Sequence, residues 1–185
     1  NLRSLPAVDA QGLSIVRDGN TMLNFSSNDY LGLADDTNLK EEFLQSLNPR
    51  DVRFSSTSSR LLTGNFPVYA RLEKRLAELY KAETSLVFNS GYHANTGILP
   101  ALTDKQSLIL ADKLVHASIV DGIGLSKARC IRYRHNDYEQ LERLVSESAS
   151  QYEAVFIVTE SIFSMDGDES DLPCLVALKK HYPNI

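Results

Sequence analysis

A chain of 185 residues is long enough for one domain with a real core, or for part of a larger one. Its composition, 43% hydrophobic and 23% charged, is that of an ordinary soluble protein; a net charge of -5 with scattered basic residues argues against a nucleic-acid surface, and no stretch reaches the roughly 20 apolar residues that span a bilayer. Cys130 and Cys174 are too few for a disulfide framework or a zinc site, no signal-peptide pattern is present, and a reducing, cytoplasmic setting is expected.

Taken from the start, the segment from Leu13 to Phe25 predicts a hairpin, because two short apolar runs flank Asp18-Gly19, a pair that tolerates positive φ. "NDYLGL" is turn-rich, and Thr37 to Leu47 predicts a short amphipathic helix. The stretch from Arg53 to Gly64 has many hydroxyls and no period, so a loop is expected there, dividing an N-terminal arm (1–64) from an α/β body (65–185). From Pro67, "PVYARLEKRLAELYKA" places Tyr69, Leu72, Leu76, Leu79 and Tyr80 on one helical face, with the proline suited to the first turn.

The chain then alternates. Thr84–Phe88, Ser107–Asp112, Arg129–Arg134 and Glu153–Glu160 are strand-like, and each is followed by a helical pattern, the first of which Pro100 is expected to end or kink. Apolar strands alternating with helices predict an α/β fold with a parallel sheet covered on both faces. Ligands of such sheets sit beyond the carboxyl ends of the strands. The residues found there are Ser90-Gly91, Asp112 to His116, His135-Asn136-Asp137 and Glu160 to Asp168.

Each has a plain and a functional reading. Ser90-Gly91-Tyr92 is either a turn or an anion site at a helix start; it is no Walker loop, because no Gly-Lys-Ser/Thr follows. His116 is either a helix-start histidine bonded to backbone or a ring for a flat cofactor or a proton. His135 reads as part of a structural turn, with Asn136-Asp137 as a helix cap. Ser164 could donate a hydrogen bond, and Glu160 could orient a histidine. Arg3 and Asn28 could bind a carboxylate. Asp166-Gly167-Asp168 lacks the ligand spacing and closing glutamate of a calcium loop, so no metal site is expected.

In order, "NFSSNDYLGL", "SRLLTG", "LVFNSGYHAN", "ADKLVHASIVDG", "YRHND" and "TESIFSMDGD" closely resemble the α-oxoamine synthases, from Leu2 to about Leu175. That resemblance implies the large domain of a type I, aspartate-aminotransferase-like transferase with pyridoxal 5'-phosphate as cofactor. It implies that Ser90, Gly91 and Tyr92 contact the cofactor beside its phosphate and that His116 stacks on its ring. Ser164 would hydrogen-bond it, Glu160 would support that network, and Arg3, Asn28 and His116 would face substrate. Aminolevulinate synthases and 2-amino-3-ketobutyrate CoA ligases tend to have cysteine where Gly91 stands. The implied reaction is therefore decarboxylative condensation of L-alanine with pimeloyl-CoA or a pimeloyl-carrier protein to 8-amino-7-oxononanoate, for biotin, by a cytoplasmic homodimer. The alternatives are a 2-amino-3-ketobutyrate CoA ligase or another acyl-CoA:amino-acid condensing enzyme, and a non-catalytic binding fragment.

The sequence departs from the family pattern in two places. The family's Schiff-base lysine and its Asp-x-x-His strand lie beyond "SMDGD", and no lysine here matches them. A large domain incomplete at the C-terminus, and inactive alone, is the expectation. Ser55-Ser56 stands where many relatives have glycines.

Overall fold

A computed structural model describes residues 8–185. The chain divides into two compact units, one ending at Pro67 and one beginning at Val68. The first unit opens with an antiparallel meander, β1 (Asp9–Gln11), β2 (Ser14–Arg17) and β3 (Asn20–Leu23), in that order. Arg17 pairs with Asn20 across the expected turn, where Asp18 and Gly19 take φ of 52° and 78°, the double positive φ of the type I′ hairpin. Strand β1 was not expected: three residues of mixed polarity carry no alternation to read. Helix α1 (Thr37–Ser46) starts where Asp36 accepts from the Leu39 N–H at 2.9 Å, as a cap should. Residues 47–66 are irregular and include the Arg53–Gly64 stretch expected to be a loop.

The second unit is the α/β body. Helix α2 (Pro67–Tyr80) begins at its proline, but its apolar face is covered only in part: Tyr69 and Leu76 are half-buried while Leu72, Leu79 and Tyr80 are exposed. The Thr84–Phe88 strand does not form. The segment is extended, but no described strand lies against it, and a ladder needs a partner. It is tethered to α2 instead, by Ser85 Oγ to the Glu73 carbonyl (2.7 Å) and by the Val87 N–H to the Glu73 carboxylate (3.0 Å).

Helix α3 (Gly91–Leu102) carries Pro100 inside it and runs two residues further, so the proline does not end it. The proline forfeits only its own bond to the Thr96 carbonyl, four residues back, and the residues after it keep their N–H groups. The remaining elements fall as the alternation predicts: β4 (Ser107–Asp112), α4 (Ala117–Leu125), β5 (Arg129–Tyr133), α5 (Tyr138–Ser148) with a short 3-10 turn, β6 (Ala154–Val158) and α6 (Leu172–His181).

The three strands are parallel in the order β5-β4-β6, with Leu110 of β4 opposite Ile131 and Ile157. Every residue of β4 is buried, which is why it reads as an apolar run rather than an alternation. Leu108 and Leu110 pack with Leu141 and Val145 of α5 and Leu178 of α6. Ile109 and Ala111 necessarily face the other way. Helices α3 and α4 are in close contact: a Cβ on Gly122 would overlap the Asn95 carbonyl oxygen. Gly122→Ala should therefore lower the unfolding free energy by about 1–3 kcal/mol, the range for overpacking. Gly124→Ala, where a Cβ meets nothing within 4 Å, should raise it by about 0.5–1 kcal/mol through helix propensity. Urea denaturation of the two variants checks the contrast.

Candidate active site at the carboxyl edge of the parallel sheet

With the order β5-β4-β6, the chain leaves β4 toward one neighbour and returns past it to the other. The direction of winding reverses between β4 and β6, and a crevice opens at the carboxyl ends of strands on either side of such a reversal. Just beyond β4 comes His116, and just beyond β6 comes Glu160. The structure joins them: the His116 N–H donates to Glu160 Oε1 at 2.5 Å. The carboxylate thus holds the histidine by its main chain rather than by its ring.

His116 is the N-cap of α4. Its Nδ1 lies 3.1 Å from the Ser118 N–H and 2.7 Å from Ser118 Oγ. A backbone amide can only donate, so Nδ1 is the acceptor and the ring proton sits on Nε2. Nε2 has no hydrogen-bond partner among the described residues, and the side chain is exposed. The plain reading of a helix-start histidine bonded to backbone is correct, and it leaves the outer nitrogen free.

Ser118 is buried and receives Asn95 Nδ2 of α3 at 2.9 Å, so the second turn of α3 is connected to the first turn of α4. Ser90 caps α3 by accepting the His93 N–H at 3.1 Å. A Cβ on Gly91 would meet nothing within 4 Å, so the protein itself does not require glycine there. Tyr92 reaches across to α4, donating its hydroxyl to Asp121 at 3.0 Å; that bond, with the charge of Asp121, raises the pKa of the phenol above its ordinary value.

The loop from Thr159 to Ser170 folds back on itself. The Phe163 N–H donates to the Asp168 carbonyl and the Gly167 N–H to the Phe163 carbonyl, each at 2.8 Å. Ser170 Oγ donates to the Glu160 carbonyl at 2.8 Å, closing the loop's base. Ser164 stands exposed in the turn, next to the buried Phe163.

A second cluster lies beside the first. Asp112, the last residue of β4, has no solvent exposure and accepts from the N–H groups of Leu114 (2.8 Å) and Asn136 (2.9 Å). His135 lies between it and Asp168, 3.0 Å from each. Burial pushes the nearby Tyr133 phenol up to about 12, so it does not ionise in the physiological range. Sequence reasoning assigned His135-Asn136 to a turn and gave Asp112 no role. The available signal was an acid at the end of an otherwise apolar strand.

Of the other residues singled out from the sequence, Arg3 lies outside the described residues. Asn28 is exposed in the first unit, where its Oδ1 accepts from the Tyr30 hydroxyl at 3.4 Å. Among the described residues, no group of acids, histidines and cysteines could hold a metal ion, and no helix is long and apolar enough to cross a membrane.

Comparison with known proteins gives this geometry a family. The pattern of aminotransferases of class I and II matches residues 20–185. The chain belongs to that family. Proteins of Haemophilus influenzae and of Neisseria meningitidis serogroup B, each provisionally named 8-amino-7-oxononanoate synthase, are 58% identical to it over 182 residues, covering 98% of this chain and 48% of their own. The chain spans about half the length of the curated relatives it matches. Among solved structures, it is similar to a serine palmitoyltransferase of S. paucimobilis holding an aldimine of pyridoxal phosphate and myriocin. That match has 28% identity and a TM-score of 0.84, over 95% of this chain and 44% of the other. It is also similar to the 8-amino-7-oxononanoate synthase of Francisella tularensis, with 31% identity and a TM-score of 0.67, over 83% of this chain and 41% of the other. The resemblance to α-oxoamine synthases and the α/β, type I transferase architecture expected from the motifs are both borne out.

The Tyr92–Asp121 bond has its own test. Asp121→Ala in this aminotransferase-family chain should return the Tyr92 phenol toward the ordinary tyrosine range, lowering its pKa. Ultraviolet titration against a Tyr92→Phe background isolates that phenol from the other tyrosines.

Proposed function

We propose that this chain is the N-terminal half of a pyridoxal-phosphate-dependent acyltransferase that condenses L-alanine with a pimeloyl thioester, CoA- or carrier-protein-bound, to give 8-amino-7-oxononanoate, carbon dioxide and free thiol. The observation that carries the reading is the junction of His116 with Glu160 at the winding reversal, tied through Ser118 and Asn95 to the start of α3. The provisional names of the two relatives, each 58% identical to this chain, support this choice of substrate pair.

The residues present fit the cofactor. A phosphate dianion suits the start of a 12-residue helix, whose first N–H groups lack intrahelical partners. At Gly91 the absent side chain leaves room for close approach. A flat ring suits His116, whose imidazole is exposed and fixed by two bonds at Nδ1. When bound, pyridoxal phosphate supplies the electron sink that stabilises a carbanion at alanine Cα.

The roles of the chain's own residues are those the resemblance to α-oxoamine synthases implies, supported at His116 by its bonds. Ser90, Gly91 and Tyr92 hold the phosphate end. Glu160 fixes the main chain of His116, and Ser118 fixes the ring, so the Nε2 proton is presented outward to a substrate carboxylate. Ser164 offers a hydroxyl to the phenolic oxygen. The resemblance assigns Arg3 and Asn28 to the carboxylate of the amino acid or product. Two free cysteines agree with a cytoplasmic setting. Exposed apolar side chains of the first unit, among them Phe25, Phe54 and Leu61, agree with a homodimer that covers them.

Gly91→Val should weaken pyridoxal-phosphate retention by about tenfold or more while changing the melting temperature of the cofactor-free protein much less, because a Cβ at this position meets nothing within 4 Å. His116→Ala should lower turnover by about a hundredfold with the cofactor retained. Both are measured on the full-length protein by absorbance titration and by product formation from alanine and pimeloyl-CoA. Unaltered cofactor affinity in Gly91→Val, or turnover only with glycine or serine, would overturn the assignment.

A further inference from the structure

His135 is the one ring nitrogen pair in the described residues that meets a carboxylate on both sides. Nδ1 lies 3.0 Å from Asp112 Oδ1 and Nε2 lies 3.0 Å from Asp168 Oδ2. A neutral imidazole carries a single N–H, so one of these contacts would set a lone pair against a carboxylate oxygen. Both become hydrogen bonds when each ring nitrogen carries a proton. Asn136 Nδ2 also approaches Nε2, at 3.3 Å, but the amide has a better outlet in the Glu169 carbonyl at 3.2 Å.

The two carboxylates belong to different parts of the fold. Asp112 is the fully buried end of the central strand, and Asp168 is on the return limb of the loop that carries Glu160 and Ser164. The ring also stands edge-on to the buried Phe163, with centroids 4.5 Å apart, one residue before Ser164. From the same side, Asn136 holds the Glu169 carbonyl, and the Tyr138 hydroxyl accepts the Asp171 N–H at 2.6 Å. Of the other charged residues nearby, Arg134 is paired with Asp137 and the Arg132 guanidinium donates to the Lys113 carbonyl, while Lys113, Asp166 and Glu169 are exposed.

We infer that His135 is a positioning residue: as an imidazolium clamped between Asp112 and Asp168, it pins the loop of residues 159–170 over the carboxyl end of β4 and so sets where Glu160 and Ser164 stand. This rests on the reading of that loop as one wall of the active site. The electrostatics agree. The bond to Asp112 raises the pKa of His135, partial burial lowers it, the bond to Asp168 adds a second rise, and the net direction is upward. A raised folded pKa stabilises the protein fully below the ordinary histidine range, and that contribution is lost as pH climbs through the folded value. The clamp therefore loosens on the alkaline side.

Histidine-selective nitrogen NMR on the full-length protein, with His135→Gln to assign the signal, tests the charge. Both ring nitrogens should stay protonated at pH values where free histidine is neutral. The second arm is Asp168→Asn, at a half-exposed position where the fold should survive. Amide exchange in residues 163–170 should rise by about tenfold or more while the β4 amides stay protected. Wild-type exchange in the same loop should rise with pH beyond the intrinsic trend, and in Asp168→Asn it should not. Turnover in that variant should fall with cofactor content unchanged. A ring that titrates as free histidine does, or exchange identical to wild type, overturns the clamp. Loosened exchange with normal turnover overturns its positioning role. A wild-type protein that binds no pyridoxal phosphate overturns the functional reading instead, and the clamp still stands or falls on the NMR and exchange results.

Discussion

A carboxylate without solvent exposure sits at the end of the central strand, and the edge of the sheet is organised by the need to satisfy it. An unpaired carboxylate in that position would cost several kcal/mol. Asp112 is instead surrounded by donors: the Leu114 N–H from its own exit turn, the Asn136 N–H from the turn after β5, and a ring nitrogen of His135. Two of the three connections leaving the sheet are thereby fixed to one residue. Asn136 accepts a positive φ of 51° to make this contact, a conformation asparagine tolerates better than most residues.

The third connection is fixed by the same kind of bond at the neighbouring position. Glu160 leaves β6 and takes the N–H of His116, so β4 and β6 are joined beyond their ladder as well as within it. Both joints use a carboxylate as acceptor and a main-chain N–H as donor, the stronger class of hydrogen bond. His116 caps its helix with a ring rather than with the usual hydroxyl or carboxylate, so the residue that ends the connection also faces out of it. A wholly buried strand supplies the rigidity, and its carboxyl-end neighbours carry the residues proposed for the chemistry.

Much of this was legible in the residues. The change from apolar runs to helical periodicity located β4, β5, β6 and the helices between them. Asp18-Gly19 gave the hairpin turn, and Pro67 gave the start of α2. What failed had physical causes. Thr84–Phe88 has the composition of a strand, but pairing is a property of two segments, and composition describes one. The apolar face of α2 was readable as a face, while its cover was not: Leu72 and Leu79 remain exposed. Pro100 reads as a helix breaker, but the loss of one N–H bond does not stop α3, which runs on to Leu102. Within the site, His116 and Glu160 were found because they follow strands. Their actual bond, main chain to carboxylate, could not be read from side-chain types. His135 was read as a turn residue because its Asp112 and Asp168 partners lie 23 and 33 residues away.

The bond from Asn95 to Ser118 carries one further consequence. It fastens the second turn of α3 to the first turn of α4, and the missing Cβ of Gly122 lets the two helices close on each other. On the proposed reading, a molecule with an anionic end at one helix start and a flat body at the other would meet a bidentate host rather than two independent subsites. Once either end is engaged, the second contact is intramolecular, with an effective concentration set by a fixed spacing instead of by the bulk. Weak individual contacts on an open edge then combine into avidity, with no need for a deep enclosing cavity.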